Sequence, residues 1–249
     1  MKTLLYGAFA MLLLAGCDTL DANTEAGPES PLAANGSSGY AEYQVRVRNL
    51  TSGQPFTPPL AVTHSDAISL FNKGEKASYG IQQIAENGNL DPLIGVVSGS
   101  AEVADWVVAV AGTPPPVLQN GGEVTFTIKS APGKRYFSFA SMLICTNDGF
   151  TGVNSIKLPR HIGDEVRLGL KSYDAGTEIN TEDFADIVPP CQGLVGISSD
   201  DEGTGMTNPA LAENGYVHHH PGVDGDDDLV AGVHGFGNRV GKIAIRRIR

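Results

Sequence analysis

Hydrophobic and polar residues alternate strictly in several short segments of this chain. In residues 43–50 (YQVRVRNL), Tyr43, Val45 and Val47 alternate with polar or charged side chains. A period of two is typical of a β-strand with one buried and one wet side. Residues 123–128 (EVTFTI), 136–144 and 240–248 (VGKIAIRRI) have similar patterns, and Gly- and Pro-rich stretches separate them. This arrangement predicts an all-β protein, an antiparallel β-sandwich.

Helical patterns are few. Residues 78–86 (SYGIQQIAE) place Ile81, Ile84 and Ala85 on one side of a short helix, and the following Asn87-Gly88 predicts its glycine C-cap. Residues 101–111 are apolar throughout and are compatible with either a helix or a strand. The pattern therefore predicts one or two short helices within long connections of the sandwich.

The amino terminus has the features of a secretory leader. Residues 1–16 (MKTLLYGAFAMLLLAG) combine an early lysine, a short apolar run and final small residues. The run is too short to span a bilayer comfortably, so residues 1–16 are predicted to be a signal peptide.

The residues around Cys17 resemble a bacterial lipobox, Leu14-Ala15-Gly16-Cys17, in which the cysteine receives a lipid. Acyl chains hold such a protein on a membrane at about 0.8 kcal/mol per buried methylene. The alternative is a soluble secreted protein with an incidental cysteine. Residues 17–39 lack hydrophobic periodicity and are predicted to be an acylated, disordered tether. Residues 40–249 then form one domain.

Charge and cysteine content limit the environment and the partners. The chain has 17 Lys and Arg against 28 Asp and Glu, a net charge of −11, which disfavours nucleic acid and favours divalent cations. With Cys17 acylated, Cys145 and Cys191 remain for a disulfide, the alternative being two buried thiols. The prediction is a lipid-anchored, extracytoplasmic protein of the bacterial cell envelope.

Two apolar segments are each followed by an aspartate and a glycine. Residues 146–154 (TNDGFTGVN) contain Asp148, and residues 168–178 (LGLKSYDAGTE) contain Asp174. Both loops are compatible with simple turns, because Asp and Asn bond their own backbone and Gly allows positive φ. Two loops at one end of a sandwich can also supply the converging oxygens that calcium needs.

These loops and several other segments resemble the spondin N-terminal domain family, the F-spondin and mindin type, in a bacterial lipoprotein member. The resemblance rests on SMLICTNDGFTGVNSI, SYDAGTE, Tyr43-Gln44-Val45, Phe56-Thr57-Pro58-Pro59, Thr63-His64, Leu70-Phe71, Ala85-Glu86-Asn87-Gly88-Asn89 and the 240–248 strand. It implies an eight-stranded β-sandwich that binds or adheres to other molecules and can hold calcium.

The resemblance also implies which residues hold the ion. The family's two ligand aspartates correspond to Asp148 and Asp174, and a main-chain carbonyl ligand corresponds to Leu170. A family glutamate falls near residues 127–129, where this chain has no acid, and Glu123 is out of register. A site with two carboxylates is expected to bind calcium at about 0.1 to 1 mM.

A histidine cluster offers an alternative metal site. Residues 217–222 (VHHHPG) place His218 and His220 on the same side of a strand, which could suit zinc or copper. A structural role for one histidine inside the loop is the other interpretation. The acidic segment 223–229 (VDGDDDL) begins like an EF-hand loop but lacks its glycine and its last glutamate, so a solvated turn is predicted.

No enzyme motif is present. The chain lacks GxSxG, HExxH, a phosphate-binding loop and a dinucleotide fingerprint. Its paired acids lie in glycine-rich turns that give no reason for a raised pKa in one of them. The sequence thus predicts a non-enzymatic adhesion or binding module for an unknown extracellular or envelope protein or glycan. The alternative is a periplasmic transition-metal or metalloenzyme domain that uses His218 and His220.

Overall fold

The computed structural model describes residues 39–111 and 117–249 of the chain. The predicted signal peptide, Cys17 and all but the last residue of the predicted tether lie outside these described residues. The strands are β1 (Ala41–Asn49), β2 (Leu60–His64), β3 (Val103–Val108), β4 (Glu123–Ser130), β5 (Tyr136–Met142), β6 (Gly149–Lys157), β7 (Glu165–Asp174), β8 (His218–His219) and β9 (Arg239–Arg247). The helices are α1 (Tyr79–Asn87), α2 (Asp91–Ser98), α3 (Pro190–Val195) and α4 (Ala231–His234).

The strands form one antiparallel sheet that rolls nearly into a barrel. Its order is β3-β2-β5-β6-β7-β9-β1-β4, and the short β8 pairs with β7. The two outer strands, β3 and β4, approach each other: the Lys129 amide of β4 donates to the Asp105 carboxylate of β3 at 2.7 Å. The all-β antiparallel prediction is confirmed, with nine strands in the described residues instead of about eight.

Period-two alternation predicted strands β1, β4 and β9 correctly. In β1, Val45 and Val47 are fully buried and Arg46 and Arg48 are exposed, as the sequence predicts. The ambiguous segment 101–111 contains strand β3, which pairs with β2. Valines at both ends of that strand fit the pleated surface of a sheet better than a helix.

Two hydrophobic cores hold the fold together. The first fills the inside of the rolled sheet and includes Val45, Phe137, Phe139 and Ile243. The second lies on the other side of β2, β5 and β6, where the helices and long connections cover it. The central strands are buried on both sides. The residues of β5 are therefore almost all apolar or small, whereas those of β1 alternate between apolar and polar.

Helix α1 contributes to the second core and has both predicted ends. The Ser78 side chain accepts from the Ile81 amide at its start, and Gly88 adopts a left-handed conformation (φ 65°) at its end. Ile81 and Ile84 are fully buried. The described residues contain four short α-helices, more than the one or two predicted, because α3 and α4 are single turns without an apolar periodicity. None of the helices in the described part of the chain is long and apolar enough to cross a membrane.

Candidate cation site

Side-chain hydrogen bonds hold the backbone of the loop between β5 and β6 at Cys145 and Thr146, just before Asp148. The Gln54 side chain bridges the backbone of Cys145, donating to its carbonyl at 2.8 Å and accepting from its amide at 3.0 Å. The Thr146 hydroxyl donates to the Leu143 carbonyl at 2.6 Å and accepts from the Gly149 amide at 2.9 Å. These contacts close a tight turn and leave Asp148 in one defined position.

A disulfide between Cys145 and Cys191 anchors the same loop to helix α3. Both cysteines are fully buried in the second core. The predicted disulfide is therefore present, and the alternative of two free thiols is wrong.

The sheet brings Asp148 and Asp174 together at one end. Asp174 is the last residue of β7 and pairs in register with Gly149, the first residue of β6. The Ala175 amide donates to the Asp148 carbonyl at 3.1 Å. Both aspartate side chains are fully buried. Residues 26 positions apart in the chain thus become neighbours because β6 and β7 are adjacent and antiparallel.

The two carboxylates differ in how their oxygens are bonded. Asp148 Oδ2 accepts from the Thr177 and Glu178 amides at 2.7 and 3.1 Å, whereas the buried Oδ1 has no hydrogen-bond partner. Asp174 Oδ1 accepts from the Gly176 amide at 2.7 Å, and Oδ2 accepts from the Asn180 amide group at 2.8 Å. A buried, unpartnered carboxylate oxygen is unusual, since burial without a partner costs free energy.

Burial dominates the electrostatics of this end of the sheet. Burial first, and then the negative charge of Asp174, raise the pKa of Asp148 to about 7, against the hydrogen bonds from residues 177 and 178. The glycine-rich turns gave no reason to expect a raised pKa in one of the paired acids, but the structure supplies one for Asp148. The sequence showed the glycines near Asp148 but not that its side chain is fully buried.

Two further buried acids belong to the same region. Glu178 is 3% exposed, and burial raises its pKa to about 7, with Glu86 and Asp148 adding unfavourable negative charge. Glu86 of α1 is 4% exposed and accepts from the Gln82 side chain at 2.8 Å. Sequence reasoning did not select these acids as site residues. Glu86 follows the apolar Ile84-Ala85 pair on the buried side of α1, which was the available signal.

The described residues provide no lysine or arginine within ion-pair distance of these acids. The nearest cationic candidate is His218, whose Nδ1 lies 3.6 Å from Asp174 Oδ1. Buried carboxylates normally pair with a cation or coordinate a metal. The negative charge of Asp148 and Asp174 and the unpartnered Oδ1 of Asp148 are therefore compatible with a bound cation.

Other predicted ligands do not join this pair. Leu170 lies four residues before Asp174 in the same extended strand, a separation of about 13 Å, and pairs with Gly241. The Leu170 carbonyl therefore cannot share one ion with the Asp174 carboxylate. Residues 127–129 and Glu123 lie on β4, which β9 and β1 separate from β7. Glu123 faces solvent near Arg46.

The histidines reach the same end of the sheet but do not converge. His218 pairs with Asp174 across β8 and β7, and its Nδ1 lies 3.0 Å from the Tyr216 carbonyl, which places the proton on Nδ1. His220 Nδ1 accepts from the Gly222 amide at 3.1 Å, so its proton lies on Nε2, which is buried without a partner. Burial lowers the pKa of His220 to about 4, despite the opposing charge of Asp174. His218 is exposed and His220 is buried. The nitrogen lone pairs of the two rings therefore do not face one common metal position.

Two sets of three His, Cys, Asp or Glu side chains in the described part of the chain have ligand atoms within 4.8 Å of one another, and neither set includes Asp148 or Asp174. One contains Cys145, Cys191 and His234, but its sulfurs are joined in the disulfide. The other contains Asp183, Asp201 and Asp228 beside the acidic segment. In that segment the amides of Asp224, Gly225 and Asp226 donate to Glu182, which makes a turn around a carboxylate.

Gly149 follows Asp148 and has no room for a side chain. A Cβ atom there would lie 2.4 Å from the Thr146 hydroxyl oxygen. We expect Gly149→Ala to lower the free energy of unfolding by about 1 to 3 kcal/mol, measured by urea denaturation. Gly95→Ala is the control, because its Cβ would meet nothing within 4 Å, and we expect it to be neutral or stabilising. Equal losses in both variants would contradict this role of Gly149.

The fold and this end of the sheet define an all-β domain with a buried acidic pair between adjacent strands. The Spondin_N family model matches residues 48–184, which include both aspartates and more than half of the chain. The chain belongs to the spondin N-terminal domain family, as the sequence predicts. Residues 185–249 lie outside the matched range, although β9 completes the sheet.

Two curated relatives are similar to this chain. Spondin-2 of Rattus norvegicus is 28% identical over 131 residues, which is 49% of this chain and 39% of the relative. Spondin-2 of Homo sapiens is 29% identical over 133 residues, again 49% of this chain and 39% of the relative. The chain thus matches well under half the length of either relative.

Proposed function

We propose that this protein is an extracytoplasmic binding module that holds a divalent cation, calcium, between Asp148 and Asp174. The observation that carries the proposal is the buried acidic pair with an unpartnered Asp148 Oδ1 and no lysine or arginine beside it in the described residues. A cation would supply the missing positive charge and the missing partner together.

The chemistry of the available donors favours a hard cation. Asp148 and Asp174 offer carboxylate oxygens, and the Thr177 hydroxyl oxygen lies 3.1 Å from Asp148 Oδ2. Calcium coordinates such oxygens together with water and tolerates an irregular coordination geometry. Two carboxylates and neutral oxygens correspond to an affinity on the order of 0.1 to 1 mM, typical of extracellular modules.

Binding fits this site better than catalysis. A carboxylic acid with a pKa near 7 can act as a general acid, and both Asp148 and Glu178 have such values. Both side chains, however, are almost completely inaccessible, so an organic substrate cannot reach them. A single ion needs far less space. We therefore assign these acids to cation binding and propose that the domain is not an enzyme.

Membership of the spondin N-terminal family supports an extracellular binding or adhesion role for the domain. Acylation of Cys17 would hold the domain on the bacterial envelope, with residues 17–39 as the tether. The partner in this proposal is a protein or a glycan outside the cytoplasm. The acidic chain makes nucleic acid a poor candidate.

Calorimetric titration with calcium and zinc tests this proposal against the alternative at His218 and His220. We expect wild type to bind calcium in the submillimolar range and Asp174→Asn to bind it at least about tenfold more weakly. Asp226→Asn, an exposed change in the acidic turn, is the matched control and should bind as wild type does.

His218→Ala provides the other comparison. Zinc binding that is tighter than calcium binding and is lost in His218→Ala would support the transition-metal alternative instead. Calcium affinity that is unchanged in Asp174→Asn would refute the proposed site.

A further inference from the structure

The solvent face of β7, β9 and β1 concentrates positive charge in an otherwise acidic protein. Strand alternation points every second side chain of these strands outward, and most of those positions are basic and exposed. The outward basic residues include Arg46, Arg48, Arg167, Arg239, Lys242 and Arg246. We call this surface the basic face.

Strand register places these charges side by side. Arg48 of β1 is opposite Lys242 of β9, and Lys242 is opposite Gly169 of β7. Arg46 and Arg167 both flank Ala244 of β9 from opposite sides. Neighbouring strands are about 4.8 Å apart, so cationic groups recur across the face at short intervals.

The basic face contains a groove because its centre carries small residues. Gly169 and Ala244 lie between the longer basic side chains, and the resulting groove has a volume of about 490 Å³. At Gly169 the Arg239 guanidinium occupies the space of a side chain, with Nε 3.1 Å from where a Cβ would be. A flat sheet surface thus becomes a shallow channel whose lining includes four arginines, one lysine and one carboxylate, that of Glu123.

Few of these cations are neutralised within the protein. Arg46 lies 3.9 Å from Glu123, and Arg167 contacts Glu165. Among the residues that the structure describes, Arg48, Arg239 and Lys242 have no carboxylate within 4.0 Å. With 28 acids in the chain, leaving these groups unpaired keeps a positive field at the groove.

We propose that the groove on the basic face binds a linear acidic polysaccharide, one that carries sulfate or carboxylate groups. Arginine guanidinium pairs with such planar or tetrahedral anions through two parallel hydrogen bonds. Repeated cations along a channel match repeated anions along a chain. This surface is distinct from the Asp148 and Asp174 pair, and the proposal stands independently of cation binding.

A membrane surface fits the groove less well. Proteins that bind lipid surfaces combine basic residues with large apolar side chains that enter the bilayer. In the described residues, none of the exposed large hydrophobic side chains lines this groove. Polar and charged contacts therefore provide the recognition, which suits a hydrophilic polymer.

Binding of the full-length protein to a heparin oligosaccharide tests the proposal. The variant is Arg48→Gln with Lys242→Gln, and the control is Lys76→Gln with Lys157→Gln, which removes the same charge elsewhere on the exposed surface. We expect the first pair to raise Kd by about tenfold and the control pair by less than about twofold. Affinity should fall as salt rises.

Four outcomes would overturn the proposal, and three of them come from the binding measurements alone. They are no binding of heparin by wild type, equal weakening in both double variants, and tighter binding to phosphatidylglycerol vesicles that the Arg48 and Lys242 changes abolish. The last result would assign the basic face to an anionic membrane. Thermal unfolding of each variant shows whether the fold is intact, and a folded variant that retains full affinity also refutes the proposal.

Discussion

Replacing Asp148 by asparagine is expected to stabilise the cation-free protein at pH 8 while removing calcium binding. The carboxylate of Asp148 is buried against Asp174, and its pKa is raised from 3.8 to about 7. Ionising it in the folded state costs on the order of 2 to 4 kcal/mol, because each pKa unit corresponds to about 1.4 kcal/mol. Asparagine keeps an acceptor for the Thr177 amide and adds a donor in place of the unpartnered oxygen.

The stabilising effect should depend on pH with a definite sign. Between about pH 4 and pH 7 the folded protein retains the Asp148 proton while the unfolded chain loses it. This group therefore lowers stability as pH rises through that window, and its full cost is present above pH 7. The stability gain of Asp148→Asn over wild type should be small at pH 4 and largest at pH 8, measured by urea denaturation in the presence of a chelator.

Calcium should narrow the difference in stability between the two proteins. Saturating calcium should stabilise wild type through linkage and leave Asp148→Asn unchanged. Asp226→Asn, whose side chain is exposed, is expected to follow wild type in both conditions. A variant that is less stable than wild type at pH 8 without calcium would show that the Asp148 charge is already compensated, and the site would lose its basis.

Removing the disulfide is expected to have the largest effect on stability. Cys145 and Cys191 are separated by 46 positions, and closing a loop of that length contributes about 4 kcal/mol in the chain-entropy description. We expect the double change Cys145→Ala with Cys191→Ala to lower the free energy of unfolding by about 2 to 5 kcal/mol in urea denaturation.

The same change should weaken the cation site, because Cys145 begins the turn that positions Asp148. Wild type in strong reductant should approach the stability of the double variant, and reductant should not affect the variant itself. Calcium affinity that stays at the wild-type level in a destabilised but folded double variant would show that Gln54 and Thr146 position the loop without the disulfide.

Sequence reasoning predicted the strands with one wet side well and the buried architecture less well. Period two identified β1 and β9 because their outward positions are charged. Strand β5 is buried on both sides, so its residues do not alternate and the pattern does not show which side chains face which core. Strand β3 also has no exposed residue, which is why its segment was ambiguous between helix and strand. The nearly closed sheet depends on contacts between β3 and β4, which no local pattern reports.

The sequence predicted the two aspartates of the site but not the residues and the burial that surround them. A strand followed by aspartate and glycine occurs twice, and adjacent antiparallel strands bring Asp148 and Asp174 to one end. The raised pKa of Asp148, the buried Glu178 and the approach of His218 depend on how the long connection after β7 folds back. The Leu170 carbonyl, taken from family resemblance, fails on strand geometry alone.

The near closure of the sheet has a consequence for crowded copies of this protein. The Thr63 hydroxyl donates to the Lys129 carbonyl and the Asp105 carboxylate accepts from the Lys129 amide, so both backbone groups of this residue on the outer strand β4 are engaged. Unpaired outer strands are the usual templates for intermolecular pairing and fibre growth. The contacts at Lys129 therefore oppose intermolecular strand pairing at this point of β4 when many copies of the domain are displayed close together.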